Sequence, residues 1–146
     1  MPRPNLISLF DGFLQHGRGP AVVETQGYRR RSRTYAELHA AGLSVSDALA
    51  RRGVGPGDRV LLWGANASRW VAGFWGVQLR GAIAVPMDAG ASAEFVRRTL
   101  EESGAKLILC DRSRPQIPGG PPSLALEDFD RPSSGEPAAS GRGATR

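Results

Sequence analysis

The sequence predicts an α/β protein: a βαβαβ parallel sheet with helices on both faces. Three observations lead there. Apolar runs stand near 59–63, 82–85 and 106–110, each short and without the polar alternation of a strand that has one wet face. Segments with apolar residues at helical spacing separate these runs. Glycine, proline and capping residues punctuate the junctions. Crossovers between parallel strands are expected to be right-handed.

The elements follow in chain order. Leu6, Leu9, Phe10, Phe13 and Leu14 share one face of a 3.6-residue period, with Asn5 as cap and Gly17 as terminator. Ala21–Glu24 and the stretch around Tyr28 and Arg29 flank Thr25-Gln26-Gly27, which reads as a hairpin turn. Thr34-Tyr35-Ala36-Glu37 is a capping box that opens a helix near 36–52, with Leu38, Ala41, Val45, Ala48 and Leu49 as its buried stripe and Gly53 at its end. Val54-Gly55-Pro56-Gly57-Asp58 is a turn, and Arg59–Trp63 is a strand. Asn66 is placed to cap a helix near 67–80 that Gly81 ends. Ala82–Val85 forms the next strand, closed by Pro86. Ser92 caps a helix near 93–103 that Gly104 ends, and Lys106–Cys110 completes the pattern.

Past Arg112 the apolar period disappears among Pro115, Pro118, Pro121, Pro122, Pro132 and Pro137. Residues 1–112 therefore read as one α/β subdomain, and 113–146 as a disordered or truncated tail in which only Leu124-Ala125-Leu126 could form a strand.

Composition excludes several classes. No run approaches the roughly 18 apolar residues of a membrane helix, and the start lacks the apolar stretch of a secretory signal. A cytoplasmic protein is the expectation. The net charge of +5 and pI near 10.6 raise a nucleic-acid reading. Against it, the arginines are scattered and usually stand beside acids. Only Arg29–Arg33 cluster, without interleaved aromatics, as on a solvated strand edge.

Candidate chemical groups resolve into structural ones. Cys110, the single cysteine, has no disulfide partner and closes an apolar strand, where a thiol packs as a small hydrophobe. The turn Trp63–Ser68 joins a strand to a helix as a phosphate loop does, yet it holds one glycine and no lysine. Asn66 is a helix cap, and Asp58 braces its turn. His16 and His39 stand without triad partners. Trp70, Phe74 and Trp75 have the spacing of a packed helix face. No catalytic, cofactor-binding or metal-ligating residue is assigned.

Four blocks in order carry a resemblance: Arg33-Thr34-Tyr35-Ala36-Glu37-Leu38; Gly53 to Val60; Asn66 with Trp70; and Gly81-Ala82-Ile83-Ala84-Val85-Pro86. Together they resemble the opening of the AMP-binding (adenylate-forming) superfamily over residues 5–112, and the Leu61–Asn66 and Val85–Gly90 stretches look most like long-chain fatty-acid–CoA ligases. The resemblance implies the first subdomain of the large N-terminal domain of such an enzyme. For the full-length member it implies ATP, Mg and CoA, a carboxylate substrate, an acyl-AMP intermediate and transfer to the CoA thiol. The superfamily's Ser/Thr/Gly-rich phosphate loop, ribose-binding Asp and catalytic Lys have no match here. The chain alone is therefore expected to be inactive. The alternative is a non-catalytic binding or assembly module that keeps this subdomain. A small nucleotide-binding α/β protein is disfavoured by the missing glycine loop.

Overall fold

The computed structural model describes residues 12, 19–26, 29–65 and 67–129. The helix expected over 6–14 lies outside them, Gly12 apart, and His16 and Asn66 also fall outside.

Strands β1 (Pro20–Gln26) and β2 (Arg29–Thr34) pair antiparallel as a two-stranded sheet. Gln26 pairs with Arg29, so Thr25 and Gln26 belong to the strand rather than to the turn. The Arg29–Arg33 cluster forms the body of β2.

Helix α1 (Tyr35–Arg51) starts directly from β2 through the expected capping box. Thr34 Oγ1 accepts from Glu37 N at 3.1 Å, and Glu37 Oε1 accepts from Thr34 N at 2.9 Å. Its far end is a Schellman motif, with Gly53 at φ 80° and Gly53 N–H and Val54 N–H donating to the carbonyls of Ala50 and Leu49. Val54 and Leu49 are both buried in the same core, as the motif's hydrophobic contact requires.

Strand β3 (Arg59–Trp63) follows, then α2 (Ser68–Leu79), β4 (Ile83–Met87), α3 (Ala93–Ser103) and β5 (Leu107–Cys110). The second helix repeats the Schellman ending: Gly81 has φ 71°, and Ala82 N–H donates to Val77 O at 3.1 Å. The third starts with Ser92 Oγ accepting from Phe95 N at 3.1 Å and ends on left-handed Gly104. With β6 (Ser123–Ala125), strands β3, β4 and β5 form a second sheet, in the order β4–β3–β5–β6, whose pairings are all parallel. The α/β reading with parallel neighbours therefore holds.

Three further local expectations need correction. Strand β4 runs through Pro86 to Met87 instead of closing at Val85. It is an outer strand of the described sheet, where half the backbone groups face away from the ladder and a missing donor is tolerated. The N-cap of α2 is Ala67, whose side chain makes no capping bond. The third correction concerns the stretch after Arg112. Residues 111–122 form a helix-free crossover, about the dozen residues a parallel connection needs. They lead into β6 (Ser123–Ala125), parallel to β5, and a 3-10 turn at Leu126–Phe129. The reason is anchoring without periodicity: Ile117 and Leu126 are both buried, nine positions apart, in opposite cores.

Those two cores lie on opposite sides of the sheet. Val60 and Leu62 of β3, with Leu107 and Leu109 of β5, face Val45, Leu49, Val77 and Leu126. Leu61, Trp63 and Ile108 face Val96 and Leu100 of α3, with Met87 and Ile117. Full burial of each such side chain contributes roughly 1.5–3 kcal/mol. Trp75 is buried, Trp70 and Phe74 pack against the first core, and Trp70 stacks on Phe74 at 6.0 Å. The aromatic triplet is packing, as its spacing indicates. Asp58 Oδ2 accepts from Gly55 N at 2.8 Å and lies 3.3 Å from Lys106 Nζ, so it braces the turn as expected.

Helices α1 and α2 cross at Gly42 and Gly76. A Cβ on Gly76 would overlap Val45 Cβ and Cγ1 and come within 3.1 Å of Gly42 O. Alanine gains about 1 kcal/mol of helix propensity over glycine, but overpacking a close contact costs roughly 1–3 kcal/mol. A full overlap with a β-branched side chain sits at the upper end. Gly76→Ala is expected to lower unfolding free energy by about 2 kcal/mol in urea titration. Adding Val45→Gly, which removes both overlapping atoms, should produce a favourable coupling of about 1 kcal/mol or more. Additive effects would show that the helices separate freely.

Candidate functional site at the carboxyl ends of the strands

Chain direction reverses around β3. From β3 the chain passes outward to β4, whereas from β5 it continues to β6 on the other side. The crevice outside the carboxyl ends of β3 and β5 is thus the topological switch point, the usual ligand position in an open parallel sheet. Trp63 ends β3 and Cys110 ends β5, and Asp111 N–H donates to Trp63 O at 3.3 Å.

Asp111 organises this edge. It is buried, and its Oδ2 accepts from Ala65 N at 2.9 Å while its Oδ1 accepts from Arg69 Nε at 3.2 Å. Gly64 lets the turn approach closely here: a Cβ would stand 3.0 Å from Leu126 Cδ1 and 3.1 Å from Asp111 Oδ1. Arg114 approaches the same carboxylate from the other side, Nη2 to Oδ2 at 3.5 Å. Its Nη1 donates to Ala89 O at 2.7 Å, and its guanidinium lies over the Trp63 ring at 5.1 Å. One acid and one arginine therefore tie together the segments that follow β3, β4 and β5. The sequence reading passed over this cluster; its one signal is an acid directly after a buried apolar strand.

A cavity of about 310 Å³ opens beside the cluster, with Trp63, Ile108, Cys110, Arg114, Ile117 and Ala125 among its walls. At its mouth Arg112 pairs with Asp128, and Arg112 N–H donates to Glu127 Oε1 at 2.8 Å. Two buried donors next to the cavity, Trp63 Nε1 and Arg114 Nε, have no protein acceptor. Each such donor costs roughly 1–3 kcal/mol.

The chemistry available is binding and positioning. Cys110 is half-buried, and burial, then Asp111 and Glu127, push its thiol up from the ordinary range. Among the described residues no group of three or more His, Cys, Asp or Glu could hold a metal ion. The turn after β3 also does not suit a phosphate, since Ala65 N–H is engaged by a buried carboxylate that would repel one. His39 is half-buried on α1, on the other side of the sheet from Cys110's core.

Two outcomes are expected. Asp111→Ala leaves buried guanidinium charge without its counter-ion and should cost about 3 kcal/mol in urea unfolding. Asp111→Asn keeps an acceptor for Ala65 and should cost less; equal stability of all three forms would dismiss the hub. Iodoacetamide should alkylate Cys110 about fivefold or more slowly than free cysteine near neutral pH, because a raised pKa leaves less thiolate, and the rate should climb as pH rises above neutrality. A rate equal to that of free cysteine would contradict the burial.

Known proteins share this fold. The 3-hydroxybenzoate–CoA ligase of Aromatoleum sp. (strain CIB) is 36% identical over 81 residues, covering 56% of this chain and 16% of that enzyme. The long-chain-fatty-acid–CoA ligase FadD13 of Mycobacterium tuberculosis is 34% identical over 76 residues, 52% of this chain and 15% of that enzyme. The chain thus spans a small part of the length of these relatives. The fatty acyl-adenylate ligase from L. pneumophila, solved with acyl adenylate and pyrophosphate, superposes with TM-score 0.76 at 23% identity, covering 88% of this chain and 25% of that one, and shares its fold. A family model described as AMP-binding enzyme matches residues 12–140, and the chain belongs to that family.

Proposed function

We propose that the chain is the N-terminal part of an ATP-dependent acyl-CoA ligase. Such an enzyme joins a carboxylate to AMP with release of pyrophosphate and then transfers the acyl group to the thiol of CoA. The observation that carries this reading is the family match over residues 12–140. Two relatives at 36% and 34% identity are CoA ligases, one named for a hydroxybenzoate and one for long-chain fatty acids. The fatty-acid reading is favoured by the Leu61–Asn66 and Val85–Gly90 stretches noted above. Use of ATP and CoA fits the cytoplasm, and no helix among the described residues is long and apolar enough to cross a membrane.

In this reading the present residues supply framework. They do not fit a triphosphate: the turn after β3 is closed by Asp111, and Lys106, the only lysine, donates to Gly53 O at 2.7 Å and faces Asp58. Adenylation needs backbone donors around the phosphates and a cation at the developing charge. The 146-residue chain alone is therefore expected to bind ATP no tighter than about 1 mM, the level of diffuse attraction to a basic surface. That binding should fade as salt is raised.

The test is carboxylate-dependent exchange of labelled pyrophosphate into ATP, using aliphatic acids of several lengths and hydroxybenzoates. The protein as the cell makes it, recovered through a tag at its own locus, should catalyse exchange and then form a CoA thioester; the 146-residue chain should do neither. Exchange without thioester would replace the CoA ligase reading with another adenylate-forming activity. No exchange by the cellular protein would favour the non-catalytic module.

A further inference from the structure

We draw no further inference here: the strongest candidate, the outer edge of β4 with its half-exposed Ile83, is an apolar strand edge for which nothing in the structure shows what covers it.

Discussion

Strand β3 is covered on both faces and both edges, and the rest of the molecule is arranged around that condition. Val60, Leu61, Leu62 and Trp63 are each 2% exposed or less, and their backbone pairs with β4 on one side and β5 on the other. Because successive side chains point to opposite faces, one five-residue strand feeds two cores, Val60 and Leu62 into one and Leu61 and Trp63 into the other. A register slip of one residue would exchange these sets and send Trp63 against α1 and α2, where Gly73 is already packed close on Leu62 and Leu126 and leaves no room for an indole. The size difference between the two faces of β3 thus specifies which helices lie on which side.

The returns to the sheet depend on how helices α1 and α2 end. Each stops in a Schellman motif whose glycine adopts a positive φ that other residues resist, and each places the next apolar residue, Val54 or Ala82, back onto the helix it has left. The chain is thereby aimed at the start of a parallel strand without a long loop. Gly57 N–H donating to Gly81 O at 2.9 Å links the two endings, so β3 and β4 begin in register. Local backbone chemistry at the amino edge of the sheet therefore sets the alignment that brings Trp63 and Cys110 level at the carboxyl edge.

This division explains what the sequence disclosed. Signals confined to a few neighbours were legible: the Thr34–Glu37 capping box, the Ser92 cap, the terminators Gly53, Gly81 and Gly104, and the apolar runs of the three strands. Features set by distant partners were not. Pro86 reads as a strand breaker until β4 is seen to be an outer strand. The stretch through Ile117 and Leu126 has no apolar period, so its place in the cores is visible only once α2, α3 and the sheet exist to receive it. The Asp111 cluster joins residues 42 and 46 positions apart, and no window along the chain contains both partners.

The same cluster places an internal anion at the strand–turn–helix beside the switch point. In a phosphate-binding turn the N–H groups after the strand stay available and the helix start presents positive potential to an anion. In this chain Asp111 supplies its own anion to that position. Its carboxylate takes Ala65 N–H, draws Arg69 from the first turn of α2 and leaves the turn packed on Leu126 through Gly64. An internal carboxylate rigidifies the edge and at the same time excludes a phosphate from it. Positive character is displaced to the far side of Asp111, onto Arg114 above Trp63. The electrostatic opening of this edge therefore lies beyond β5, bounded by the helix-free crossover that leads to β6.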